Sequence, residues 1–188
     1  MLIQVLKTEY DKMLSDNMVS EAKENEISKK VWQSLIRNAI DICYGDETFA
    51  TYTAREQMLA FAYTLFQKMA TEEEFLTQLK LFQISNYSIL KDEARDFFNK
   101  NIDYGMAIGE IQARTWISSR YSYLLVSAIL TLCYLWSKDT SESKEQTDAG
   151  IDKIINWVYD IMQPNALDSG VGVMQYFIEI IQQHGRTK

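Results

Sequence analysis

Apolar residues recur at three- and four-residue spacing along almost the whole chain, and strict alternation never lasts the length of a strand. That pattern predicts helices throughout. A leader over about Leu2 to Asp16 sets Leu2, Leu6, Tyr10, Met13 and Leu14 on one side. A longer helix, about Ser20 to Cys43, carries Ile27, Val31, Leu35, Ile36, Ala39, Ile40 and Cys43 on a core stripe widened by Trp32, with Glu26 and Lys30 in the favourable i,i+4 order. The pattern breaks over Tyr44 to Tyr52. Thr53-Ala-Arg-Glu56 then reads as a capping box opening a helix with Met58, Phe61, Ala62, Leu65, Phe66 and Met69 inward.

A second box, Thr71-Glu-Glu-Glu74, leads into Phe75, Leu76, Leu79 and Phe82 as far as about Ile84. From about Asn86 a helix carries Leu90, Ala94, Phe97, Phe98, Ile102, Tyr104 and Met106, and Gly109 supplies the left-handed residue that often follows a helix end. Tyr121 to Trp136 is apolar nearly all round, so it must be covered on most sides. After the polar stretch Ser137 to Glu142, Ser143-Lys-Glu-Gln146 can cap a helix that places Ile151, Ile154, Ile155, Val158 and Met162 on one face and stops before Pro164. Asp168 or Ser169 can cap a last helix with Val173, Phe177, Ile180 and Ile181. The prediction is an all-α domain of seven main helices after a leader, one proline and seven glycines being too few turn-formers for a many-stranded sheet.

Composition narrows the function. A net charge of −7 opposes a phosphate backbone, so the chain by itself is not expected to bind nucleic acid. Cys43 and Cys133 sit far apart on apolar stretches and read as buried thiols, which points to a reducing, cytoplasmic setting. The N-terminal apolar run is too short for an export signal, and Tyr121 to Trp136 falls short of the ~20 residues of a membrane span. Catalytic and metal-binding constellations are not recognisable. His184 is the one histidine, Glu179 lies off its helical face, and no third group is placed to hold it as a base. Gly170-Val-Gly172 lacks the third glycine of a dinucleotide loop. Gly105-Met-Ala-Ile-Gly109 reads as close packing or a helix end. No enzyme, cofactor or metal is therefore expected. Aromatic residues make up 12% of the chain, and with Met58, Met69 and Met106 they can line an apolar pocket or fill a plain core.

The order of the pieces adds to this. The run Thr53-Ala-Arg-Glu-Gln-Met-Leu-Ala-Phe-Ala-Tyr-Thr-Leu-Phe66, the Gly109-Glu-Ile111 between two long helices, the apolar helix followed by Ile151 to Met162, and Leu167-Asp-Ser169 resemble the C-terminal domain of TetR-type regulators. The likeness extends to the TetR-like C-terminal domains common in Bacteroidetes and covers about Ser20 to Gly170. It implies a leader over residues 1–19 and a ligand-binding and dimerisation domain over 20–188. It further implies an apolar small-molecule or lipid pocket, here Trp32, Ile36, Phe61, Leu65, Phe66, Phe97, Phe98, Tyr104 and Trp116. It also implies a homodimer whose four-helix bundle uses Tyr121, Leu125, Ile129, Leu132, Trp136, Ile151, Ile155 and Val158.

The family's helix-turn-helix head takes roughly forty-five residues, and Met1 to Val19 offers room for one helix. Three readings follow: the effector-binding and dimerisation domain of a regulator without an intact head, a headless lipid or isoprenoid carrier like the TetR-like accessory protein of ubiquinone biosynthesis, or a structural interaction module.

Overall fold

The computed structural model of the chain describes residues 2–16, 18–79, 87–115 and 117–164. Among these are seven α-helices and no strand: α1 (Leu2–Ser15), α2 (Glu21–Gly45), α3 (Ala54–Ala70), α4 (Glu73–Gln78), α5 (Tyr87–Ala107), α6 (Tyr121–Lys138) and α7 (Glu145–Met162). One helix therefore lies ahead of α2. Phe82, Ile84, Asn86, Trp116, the Leu167–Ser169 and Gly170–Gly172 segments, the expected last helix and His184 lie outside the described residues.

Five helices close a circuit: α2 packs on α3, α3 on α7, α7 on α6, α6 on α5, and α5 back on α2, with α3 and α5 also meeting across the middle. The ring forms because each helix presents a wide apolar stripe. Val31, Leu35, Ile36 and Ala39 of α2, Met58, Phe61, Ala62 and Leu65 of α3, and Leu125, Ile129 and Leu132 of α6 are all sealed from solvent. The leader helix α1 turns Leu6, Tyr10 and Met13 into the same core, and the Tyr10 ring meets Phe75 of α4 edge-on at 6.0 Å. Leu2 and Leu14, expected on that face, are instead about half exposed.

Polar contacts set the helices' register. The Arg37 guanidinium forks onto Glu93 with Nε and Nη2 at 2.8 and 2.7 Å, and Gln33 donates to the same carboxylate, tying α2 to α5. Lys30 reaches Glu26 at 2.7 Å on the solvent face of α2. Between α5 and α6, Gly109 takes φ +78° and ends the helix as expected. Gly105 is there for close approach: a Cβ at this position would stand 2.6 Å from Ile111 Cδ1 and 3.0 Å from the Ala54 methyl. The loop that follows is bolted to the end of α7. Gln112 N donates to the Met162 carbonyl, and Arg114 donates to the Ile161 and Gln163 carbonyls and to the Tyr121 hydroxyl.

Helix ends confirm one expected cap and correct two. The Thr53–Glu56 capping box is complete, with both reciprocal bonds made. Thr71, in contrast, ends α3: its hydroxyl donates to the Lys68 carbonyl, and α4 starts at Glu73 behind Glu72, which makes no side-chain cap. Ser143 does not cap α7 either, because Ser143 and Lys144 both take positive φ in a tight turn. That role falls to Asp139, whose carboxylate is buried and accepts from the N–H and hydroxyl of Ser141 and of Thr147. Both cysteines are buried free thiols.

The four bonds from Ser141 and Thr147 hold the Asp139 carboxyl well below the ordinary carboxylate range, the Ser141 hydroxyl contributing most. A carboxylate with a lowered folded pKa stabilises the fold above its ordinary value of 3.8 and loses that contribution as pH falls towards the folded pKa. Asp139→Asn is therefore expected to melt below the parent at neutral pH, with the difference narrowing as the pH drops below the ordinary carboxylate range. Thermal unfolding followed by circular dichroism across acid pH checks this. A difference that stays constant down to the lowest pH would contradict it.

Candidate functional site

At the C-terminal end of α2 the helix stops at Asp46, and the chain makes a short turn before α3. Asp46 Oδ1 accepts from the Thr48 amide and hydroxyl at 2.8 Å each, an Asx-type turn that keeps this carboxyl below its ordinary range. A single 3₁₀ turn, Phe49–Thr51, then drives the Phe49 ring inward. It meets Tyr44 at 5.7 Å edge-on and stacks on Phe97 at 6.5 Å, while Phe97 in turn lies 4.8 Å from Phe61 and 5.9 Å from Phe98. Such ring pairs add about 0.5–1.5 kcal/mol each beyond their burial.

Beside this turn opens a cleft of about 310 Å3. Its apolar side is formed by Tyr44, Phe49, Phe97 and Tyr104, and its polar side by Asp46, Gln57, Lys100 and Asn101. The polar side thus offers a carboxylate, an ammonium and two amides beside a surface of rings. They suit a compact, largely apolar molecule with one or two polar substituents.

The base of the cleft is held by a buried polar knot. Asn101 Nδ2 donates to the Ala54 carbonyl at 2.7 Å and approaches Gln57 Oε1 at 3.4 Å. The Tyr159 hydroxyl from α7 lies 2.9 Å from the same carbonyl and also bonds Asn101 Oδ1. Gln57 passes the connection on, its amide reaching the Phe49 and Tyr52 carbonyls at 3.4 and 3.3 Å. Burial pushes the Tyr159 phenol well above its usual range and the Glu110 carboxylate adds to the shift, so the hydroxyl stays protonated. Arg55 covers the knot, over the Tyr159 ring at 5.7 Å and bonded to Asp160 at 3.0 Å and Asn156 at 3.2 Å.

Of the nine pocket residues expected from the sequence, Phe97 and Tyr104 line this cleft. Trp32, Ile36, Phe61, Leu65, Phe66 and Phe98 are packed into the core, and Trp116 lies outside the described residues. Sequence reasoning missed Tyr44, Asp46, Phe49, Gln57, Lys100 and Asn101. The available signal was the break in the apolar pattern over Tyr44 to Tyr52, which carries three aromatic rings where a plain connector needs none.

The residues expected at the dimer seam are already buried within the single chain. Tyr121, Leu125, Ile129, Leu132, Trp136, Ile151, Ile155 and Val158 are each at most 2% exposed within the single chain. α6 packs on α5 and α7, and α7 on α3, so these side chains are covered inside the one molecule. The outward side of the same two helices shows other residues: Tyr123, Tyr134 and Leu135 on α6 and Trp157 on α7, the last 62% exposed. Among the described residues no three His, Cys, Asp or Glu side chains gather as a metal site, and no helix is long and apolar enough to cross a membrane.

Residues 57–177, more than half of the chain, match the sequence family described as the tetracyclin repressor-like C-terminal domain. The chain belongs to that family, and so to the all-helical regulatory domains of TetR type. No curated protein and no solved structure matches it.

The knot makes a quantitative expectation. Tyr159→Phe removes the hydroxyl and leaves Asn101 Oδ1 buried without that partner, which should destabilise the fold by about 1–3 kcal/mol. Tyr134→Phe, at an exposed position on α6, should change nothing measurable. Urea unfolding of the two variants distinguishes a structural knot from an incidental contact.

Proposed function

We propose that this chain is the effector-binding and dimerisation domain of a TetR-like regulator, taking a compact apolar molecule in the cleft beside the Tyr44–Tyr52 turn and pairing with a second copy through the outer face of α6 and α7. The observation that carries the proposal is that α6 and α7 bury their inner faces completely and still present Tyr134, Leu135 and Trp157 to solvent. Large exposed rings are the residue types enriched at interface cores. Family membership supports the same pairing of two helices from each copy.

The cleft stands near the lower end of ligand pockets, which run roughly 300–1,000 Å3, and this favours a compact effector over an extended isoprenoid chain. Binding would act by shifting an equilibrium between conformations that differ in affinity for the ligand. The knot offers a physical connection, since Gln57 and Asn101 line the cleft and Tyr159 belongs to the pairing helix. Two buried thiols suit a cytoplasmic setting.

Two experiments test the proposal. Trp157→Glu with Leu135→Glu should convert a dimer into a folded monomer in sedimentation velocity, because both residues are exposed in the single chain. Leu125→Glu should instead unfold the protein, a charge in a sealed core costing several kcal/mol. A monomeric parent, or a double variant that remains dimeric, would refute the pairing. For the cleft, the aromatic fluorophore anilinonaphthalene sulfonate should bind the parent saturably. Tyr44→Ala and Tyr104→Ala should weaken it by about tenfold while each variant still unfolds cooperatively, Tyr44→Ala at a lower temperature because its ring contacts with Phe49 and Phe97 are lost. Unchanged binding in both variants would remove the cleft from consideration.

A further inference from the structure

A second cleft lies between α5 and α6, with a chemistry opposite to that of the chain as a whole. It holds about 290 Å3 and is lined from α5 by Lys91, Arg95 and Asn99, which follow one another at four-residue spacing on a single stripe. The facing wall is built by Ser119 of the 3₁₀ turn ahead of α6 and by Ser122 and Tyr123 of its first turn. No acidic residue lines it, in a protein of net charge −7. We propose that this cleft is an anion site for a small soluble molecule carrying a phosphate group.

Donor arithmetic separates phosphate from a simple carboxylate. The Arg95 fork carries five N–H donors, of which Asp92, itself exposed, takes one at 3.0 Å. Lys91 is held 4.8 Å over the Tyr123 ring, a position that keeps its charge in the cleft while fixing its stem. Two hydroxyls and the Asn99 amide add neutral donors. Such a set exceeds what two carboxylate oxygens can accept and matches the three oxygens of a phosphate monoester, with the guanidinium available for a bidentate grip. The volume limits the bound molecule to a small metabolite. Lys91, Arg95 and Asn99 lie on a different stripe of α5 from Phe97, Lys100, Asn101 and Tyr104, so the two clefts share the helix but no residue.

The test is a calorimetric titration of the intact chain with inorganic phosphate at constant ionic strength, comparing the parent with Lys91→Gln, Arg95→Gln and, as a control, Lys138→Gln at the far end of α6. Thermal unfolding is run alongside to show that each variant folds. Saturable binding in the parent and the control, weakened about tenfold by each of the two cleft substitutions and by added salt, is the expected result. No saturable binding, or equal affinity in Arg95→Gln and the parent, overturns the site. A second arm sediments the chain with phosphatidylglycerol vesicles. Sedimentation that depends on Lys91 and Arg95 without any response to free phosphate would assign the group to a lipid surface and overturn the soluble ligand.

Discussion

A single backbone carbonyl, that of Ala54 at the first turn of α3, organises this domain. It is buried, and it receives the Asn101 amide from α5 and faces the Tyr159 hydroxyl from α7. Groups of this kind cannot be left unpaired without a cost comparable to a sizeable part of a domain's net stability. Satisfying them fixes three helices at one point. Gly105 belongs to the same junction, since a Cβ there would crowd the Ile111 side chain and the Ala54 methyl. The aromatic cleft is built on the edge of this junction, and its shape is therefore set by the same contacts that hold the core.

Helix α5 borders two clefts with separate stripes. One turns Phe97, Asn101 and Tyr104 towards the Tyr44–Tyr52 turn, and another turns Lys91, Arg95 and Asn99 towards the start of α6. The first combines rings with a few polar groups, and the second combines cations with hydroxyls. A helix of this length can separate two such chemistries because residues three and four apart share a face while their immediate neighbours do not. The remaining sides of α5 bury Leu90, Ala94, Phe98 and Ile102 in the common core.

The pair α6 and α7 shows why apolar content alone does not identify an interface. Residues 121 to 136 are apolar almost all round. Half of that surface is needed to close the five-helix ring, and what remains outside is a smaller patch of rings and one leucine. The turn between the two helices is strained, with Ser143 and Lys144 at positive φ. It is secured by Asp139 on one side and by Lys144 on the other, whose ammonium reaches Glu73 at 2.7 Å and lies over the Trp136 ring. Charge and hydrogen bonds thus fix the connection between α6 and α7.

Residue order alone settled what depends on near neighbours. Periodicity located α2, α3, α5, α6 and α7, because the spacing of apolar positions encodes which side of a helix must leave water. The Thr53–Glu56 cap and the Gly109 stop were equally legible, since each is completed within a few residues. Tertiary structure decided the rest. Whether Leu125 and Ile155 face a twin or their own chain, whether Phe61 or Phe49 borders a cavity, and that Asp139 rather than Ser143 serves the start of α7 all depend on partners brought together from distant positions. Hydrophobic burial is non-directional: a pattern of apolar residues states that a face will be covered, and only the assembled ring determines by what.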